Sequence, residues 1–189
     1  MMSWLMKFRL HKVWCLTIIC RTMLLLKELP NTKSLAKLLE RYPDADIDAI
    51  SDFVNLLRAS SDLSAALDSL LAQHNLLQGR WWVLVLLMRQ EDLTSTPTDL
   101  AEKAGVTKAS MTGFIDGLER EGLVVRLQDT QDRRKLLIRL TRAGQQKMDA
   151  VTPDYCKKVQ ALMSCLTPER RDAMLDAVKD LAANIGAMK

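Results

Sequence analysis

Residues 99–144 constrain the fold more than any other part of this 189-residue chain. Ala101 and Ala104 share one face of a short helix, where their small side chains let a second helix approach closely. Gly105 follows, and glycine readily adopts the left-handed conformation at which a helix stops. Thr107 is a good N-cap for a second helix, because its hydroxyl accepts a backbone N–H. The segment therefore predicts two short helices joined by a tight turn.

The second of these helices has one apolar and one polar face. Its apolar residues recur at i, i+3, i+4 and i+7, which indicates a helix packed on a core. Its other face carries short or basic side chains, which can approach base edges and phosphates without clashing. An ordinary helical hairpin with a polar outer face fits the same pattern. If the helix reads DNA, the candidate contacts are Thr107, Lys108, Ser110, Thr112 and Gly113.

A polar ribbon follows the two helices. Residues 123–128 favour a strand, and residues 135–140 alternate with a period of two. The adjacent Arg133 and Arg134 between them suit a narrow minor groove, where the negative potential is enhanced. Asp132 is placed to hold the Arg134 guanidinium in a bidentate orientation. Alone, the arginine pair fits a solvated charge cluster; after two such helices, it favours DNA contact.

These residues together resemble the MarR family of transcription regulators, most strongly over residues 80–145. The resemblance implies a dimeric winged helix-turn-helix protein that binds double-stranded DNA and is often released by a small aromatic or phenolic ligand. It also implies that Arg134 contacts DNA at the wing tip and that Asp132 orients it. One departure is Gly117, where the family often has arginine. The matching runs are Leu100 to Gly105, Met111 to Asp116, Leu118 to Val124, Asp132 to Arg134 and Leu140 to Gly144.

Helical patterns flank this segment on both sides. Residues 44–75 form one long pattern, which Gln78 and Gly79 are expected to break, and residues 142–187 carry two more apolar stripes. This apolar surface exceeds what one lobe needs, so we interpret the excess as a homodimer interface. The alternative is that these helices pack only on their own subunit. The predicted fold class is mainly α with a small β-wing (α+β), with the winged helix at about 80–141.

The resemblance also implies an effector site between the dimerisation helices and the DNA-binding lobe. Trp81 and Trp82 are candidates for stacking on an aromatic ligand, and Arg80 for pairing with its anionic group. His74 is a further candidate for the same site. The alternative is that both tryptophans belong to the core.

The remaining sequence excludes several other classes of protein. The two histidines lie in no metal-ligand spacing, and no phosphate loop or nucleophile elbow occurs, so we expect no enzyme activity, metal or cofactor. The apolar run at residues 13–20 is far shorter than the roughly 20 residues of a membrane span. We therefore expect a cytoplasmic protein without a membrane partner, whose four cysteines are mostly buried thiols.

We read residues 1–22 as a doubtful N-terminal extension and residues 23–189 as a single domain. The net charge of +4 is compatible with a nucleic-acid partner. The expected function is sequence-specific repression of transcription by a homodimer, with half-sites one DNA turn, about 34 Å, apart. The alternative is a winged-helix module for protein–protein contacts without specific DNA binding.

Overall fold

The computed structural model describes residues 31–129, 132 and 135–188. The chain divides into two compact units, Met1–Ser69 and Leu70–Lys189. The fold is mainly helical with one small antiparallel sheet, which confirms the predicted fold class. The elements are α1 Thr32–Arg41, α2 Ile47–Gln73, α3 Gln78–Met88, β1 Thr94–Ser95, α4 Pro97–Ala104, α5 Lys108–Arg120, β2 Val124–Gln128, β3 Leu136–Leu140, α6 Arg142–Met163, α7 Pro168–Ala183 and a short 3₁₀ helix, Ile185–Met188.

The first unit contains α1 and most of α2, and side chains cap both helices at their start. The Asn31 side chain accepts the Ser34 N–H at 3.0 Å, and the Asp46 carboxylate accepts the Ala49 N–H at 2.9 Å. Such bonds satisfy N–H groups that have no partner inside the helix. Several apolar side chains of α2 in this unit are close to half exposed in the single chain. They include Phe53, Leu56, Leu57 and Leu63.

The second unit has its core between the sheet and α3, α4, α5 and the first half of α6. The sheet has strand order β1-β3-β2 and is antiparallel throughout. Burying a large aliphatic or aromatic side chain contributes about 1.5–3 kcal/mol, so this cluster dominates the stability of the unit. Its most deeply buried large side chains are Leu71, Trp81, Leu84, Leu87, Leu100, Met111, Ile115, Leu118, Ile138 and Val151.

The break between α2 and α3 lies earlier than the sequence predicted. α2 ends at Gln73, and Asn75 takes the left-handed conformation with φ 53°. Gln78 and Gly79 are instead the first residues of α3. Gly79 is needed for close approach, because a Cβ at this position would lie within 3.0 Å of the Phe114 ring. The turn at Asn75, and not Gly79, therefore separates the two helices.

The wing contains a strand that the sequence did not predict. Thr94 and Ser95 form a two-residue strand that pairs with Arg139 and Ile138 of β3. Two residues are too few to show a period of two, so only the pairing with β3 reveals this strand. β3 thereby becomes the central strand, with β2 on its other side.

Threonine side chains cap both helices that follow the wing. Thr141 caps α6 and Thr167 caps α7, with Pro168 in the first turn of α7. α7 contains no buried residue, and its exposed apolar side chains recur at helical spacing. They are Met174, Leu175, Val178 and Leu181, followed by Ile185 just beyond the helix.

The prediction of mostly buried thiols is wrong for the two cysteines that the structure describes. Cys156 and Cys165 are both exposed and free. Val151 is the last buried residue of α6, so Cys156 lies past the part of the helix that packs on the core, and Cys165 follows the end of the helix. Cys15, Cys20 and the proposed extension 1–22 lie outside the described residues. Among the described helices, none is long and apolar enough to cross a membrane.

Candidate nucleic-acid interface

The turn between α4 and α5 has the geometry that the sequence predicted. Gly105 is left-handed, with φ 64°, and its N–H bonds back to the last turn of α4. The Val106 N–H donates to the Ala101 carbonyl at 3.0 Å, which completes the stop. At the start of α4, the Thr96 hydroxyl accepts the Asp99 N–H at 3.1 Å. Both ends of this short helix are therefore closed by local hydrogen bonds.

Hydroxyl groups organise the first turns of α5. The Thr107 hydroxyl accepts the Ser110 N–H at 3.1 Å and lies 2.9 Å from the Ser110 hydroxyl. The Thr112 hydroxyl donates its proton to the Lys108 carbonyl at 2.9 Å. Because that proton is committed, Thr112 presents acceptor lone pairs and a methyl group to its surroundings.

The polar face of α5 is fully accessible. Thr107, Lys108, Ser110, Thr112 and Gly113 are all exposed. A Cβ at Gly113 would meet nothing within 4 Å, so that face is open around the glycine. The opposite face is buried, with Met111 and Leu118 at 0% exposure. The structure thus brings the five helix residues of the predicted site together on one exposed segment.

Arg126 of β2 fastens α5 to the ribbon, a role that the sequence pattern did not predict. Its guanidinium bonds to Asp116 at 2.5 Å and pairs with Glu119, whose carboxylate also accepts the Arg126 N–H at 3.3 Å. The bond to Asp116 raises the pKa of Arg126 above its usual value, with the Glu119 charge adding to the effect. The available signal was a pair of carboxylates at i and i+3 followed by an arginine on the next strand.

A second arginine holds the same end of α5 from α3. Arg80 of α3 forms an ion pair with Glu121, and its side chain is only 20% exposed. Its guanidinium lies where a Cβ on the buried Gly117 would have to be. The mid-helix glycine therefore makes room for Arg80, which explains a residue that costs an exposed helix about 1 kcal/mol.

The start of α4 is tied to the sheet through Asp99. Its carboxylate accepts a hydrogen bond from the Ser95 hydroxyl at 2.5 Å and pairs with Lys103 at 2.9 Å. Both contacts, that with Ser95 first, lower the pKa of Asp99 below its ordinary value. The carboxylate therefore stays charged near neutral pH and links β1 to the first helix of the motif.

The described part of the wing tip is held by backbone bonds. The Asp129 N–H donates to the Lys135 carbonyl at 3.0 Å, and the Lys135 N–H donates to the Asp132 carbonyl at 2.8 Å. Asp132 is partly exposed. The predicted contacts Arg133 and Arg134 lie outside the described residues.

The candidate ligand residues have different surroundings. Trp81 is 2% exposed and packs against Tyr155, with the ring centroids 5.2 Å apart. Its indole nitrogen and the Arg171 Nε are the buried side-chain atoms without a hydrogen-bond partner in the part of the chain that the structure describes. Trp82 is 38% exposed. His74 lies 3.3 Å from Asp154, and the Lys147 ammonium donates to its carbonyl.

Comparison with known proteins places this geometry in a family. Residues 76–136 match the model of the MarR family. The HTH-type transcriptional repressor YetL of Bacillus subtilis is 32% identical over 164 residues, covering 87% of this chain and 98% of its own length. AbsC, a MarR family transcriptional regulator from Streptomyces coelicolor, superposes with TM-score 0.69 at 25% identity, over 76% of this chain and 97% of its own. NadR in complex with 4-hydroxyphenylacetate superposes with TM-score 0.55 at 29% identity, over 68% and 90%.

Proposed function

Because the chain belongs to the MarR family of DNA-binding transcription regulators, we propose that it represses transcription as a homodimer bound to a pseudo-palindromic operator, and that a small aromatic or phenolic ligand releases it. The observation that carries the proposal is the exposed first half of α5. That segment begins at a hydroxyl cap, presents Lys108, Ser110 and Thr112, and packs its other face on the buried core. A helix of this kind fits the major groove, and the ribbon after it reaches the neighbouring groove.

The chemistry of each side chain suggests its role on DNA. Lys108 carries a full positive charge next to the helix start, which suits a phosphate or a guanine edge. Thr112 offers an acceptor to an exocyclic amino group and a methyl group to thymine. We assign phosphate or minor-groove contacts to Arg133 and Arg134, with Asp132 as the orienting partner, on the family resemblance.

The homodimer is supported by the uncovered apolar surface of α7. Leu175, Val178 and Leu181 are each about half exposed in the single chain, and Ile185 is 56% exposed. Soluble monomers rarely expose a large apolar patch, and such patches are typical of protein–protein interfaces. A twofold dimer would place two copies of α5 about 34 Å apart on one side of the duplex.

The ligand proposal rests on the NadR complex and on the accessible aromatic surface of α3. Trp82 keeps 38% of its surface exposed and His74 is partly exposed, so we propose these two as the ligand-facing members of the set. Arg80 and Trp81 are already engaged by Glu121 and Tyr155. In our proposal they support the site from within the protein.

Replacing Lys108 by alanine is expected to weaken operator binding by about five- to hundredfold, the usual range for one DNA-contacting side chain. If Lys108 neutralises a phosphate, the slope of log K against log salt also falls by about 0.9. Gel shifts with the DNA upstream of the gene, at several salt concentrations, measure both quantities. The matched control is Lys157→Ala, which removes an exposed lysine from α6.

Equal affinity of wild type and Lys108→Ala would contradict the proposed role of α5. The absence of any salt-sensitive shift by the wild type would favour a protein-interaction module. In the same gels, adding 4-hydroxyphenylacetate or related aromatic acids is expected to free the DNA in a concentration-dependent way.

The dimer is tested by introducing a charge into the stripe on α7. Leu181→Asp is expected to shift the protein from twice 21.4 kDa towards the 21.4 kDa protomer, because a carboxylate cannot be buried there unpaired. Sedimentation equilibrium gives the mass directly. Ala183→Asp is the control, since at 100° per residue it lies on the other side of α7. A monomeric wild type would rule out the dimer.

A further inference from the structure

We propose that Arg80 and Gly117 form a clasp that sets the orientation of α5 on DNA, so that Arg80 is a positioning residue for operator recognition although it does not contact DNA. The inference rests on the proposed function, because it assigns a role in the same DNA-binding event. It concerns α3 and α5, which both lie in the second unit.

The first observation is that α3 and α5 exchange side chains through two glycines. The Phe114 ring of α5 occupies the space in which Gly79 of α3 would carry a Cβ. In return, the Arg80 guanidinium of α3 occupies the space next to Gly117 of α5. Each helix therefore has a notch that receives a large side chain of the other. This reciprocal arrangement fixes both the distance and the rotation between the two helices.

The second observation is the ion pair that closes the clasp. Arg80 pairs with Glu121, which caps the end of α5, while Gly117 lies one turn earlier. Arg80 thus meets α5 at two points of its last turns. Arg126 holds the same helix from the ribbon side through Asp116 and Glu119. The last turns of α5 are therefore fixed from α3 and from β2 at once.

The length of α5 connects this clasp to the proposed DNA contacts, because a small tilt at the end of the helix displaces the residues at its start. The helix has 13 residues and is about 20 Å long, with the proposed DNA contacts near its start and the clasp near its end. From Gly117 to Lys108 the helix rises about 14 Å, so a tilt of about 5° at the clasp moves Lys108 by roughly 1 Å. That displacement exceeds the window of about 0.5 Å within which hydrogen bonds to base edges form. Loss of the clasp should therefore lower the affinity for the operator more than the affinity for DNA of random sequence.

Arg80 is poorly placed to act as a phosphate contact itself. Its side chain is only 20% exposed, and its charge is compensated by Glu121. A residue that neutralised a phosphate would add to the salt dependence of binding, whereas a positioning residue would not. The salt slope therefore distinguishes the two roles.

The test uses Arg80→Ala and Gly117→Ala in the full chain. In Gly117→Ala the atoms nearest to the new Cβ belong to the end of the flexible Arg80 side chain, so we expect Arg80 to be displaced. Both variants are expected to bind the operator about tenfold more weakly than the wild type, the size of coupling usual between contacting residues. Their salt slope and their affinity for random-sequence duplex are expected to stay unchanged. Arg89→Ala, at the other end of α3, is the matched control.

Two further results separate positioning from folding and from direct contact. The double variant Arg80→Glu with Glu121→Arg restores an ion pair of opposite polarity between the two positions. It is expected to bind the operator more tightly than Arg80→Ala and more weakly than the wild type. Urea unfolding of each variant shows whether it is folded under the assay conditions, and Arg80→Lys replaces any variant that is not. A wild type that binds no DNA would defeat the proposed function. Wild-type binding with unaffected variants, or a salt slope lowered by about 0.9 in Arg80→Ala, would overturn only the clasp.

Discussion

Replacing Trp81 by alanine is expected to lower the free energy of unfolding by about 3–5 kcal/mol, the range measured for buried tryptophans and phenylalanines. Trp81 is 2% exposed and its ring packs at 49° against Tyr155, so the truncated side chain leaves a cavity between α3 and α6. Urea unfolding at one fixed protomer concentration measures the loss, since the stability of a dimer depends on concentration.

Trp82→Ala provides the matched control, because it removes the same side chain from the next position of α3. Trp82 is 38% exposed, so its loss is expected to cost less, because less surface is buried and no closed cavity is left. Similar losses for both variants would contradict the different burial of the two rings. The comparison also addresses the alternative in which both tryptophans serve only as core residues: a change in ligand response without a large loss of stability in Trp82→Ala would speak against it.

Replacing Gly144 by alanine is expected to cost about 3 kcal/mol of unfolding free energy, the upper part of the usual range for overpacking. A Cβ on Gly144 would lie within 3.0 Å of the Leu123 carbonyl oxygen and of the Leu140 side chain. The carbonyl cannot move easily, because it accepts the N–H of Thr141 at 3.0 Å and the hydroxyl of the same residue at 3.1 Å. The start of α6 would have to shift away from the sheet.

The control for this substitution is Gly113→Ala. Gly113 lies in the middle of α5, and a Cβ there meets nothing within 4 Å. Alanine is expected to raise the unfolding free energy by up to about 1 kcal/mol at this position, through helix propensity alone. Thermal or urea unfolding of the two variants should therefore move in opposite directions. If Gly144→Ala is as stable as the wild type, the close contact with Leu123 is not maintained in solution.

The parts of the fold that the sequence predicted correctly are those decided by local interactions. Thr107 caps α5 as predicted, because a hydroxyl just before an apolar pattern has a free N–H within reach. Gly105 takes its left-handed conformation for the same local reason. The five helix residues of the predicted site lie together because they are close in sequence.

The features that the sequence did not reveal depend on residues far apart in the chain. Arg80 and Glu121 are 41 residues apart, and no periodicity signals that they meet. The sequence shows Gly117 only as a position where related proteins often have arginine. The structure shows that the guanidinium of Arg80 occupies the space next to it. The pairing of β1 with β3 joins residues more than 40 positions apart, and Arg126 meets Asp116 only after the ribbon folds back. Tertiary packing decides all of these.

The short strand β1 also determines the mechanics of the ribbon. β3 has a neighbour on both edges only at Ile138 and Arg139, whereas Leu136 and Leu137 pair with β2 alone. At its root the hairpin is therefore paired on both edges of β3, and beyond the root β3 is paired on one edge only. Because fewer backbone pairings hold Leu136 and Leu137, we expect amide hydrogen exchange to be faster there than at Ile138 and Arg139.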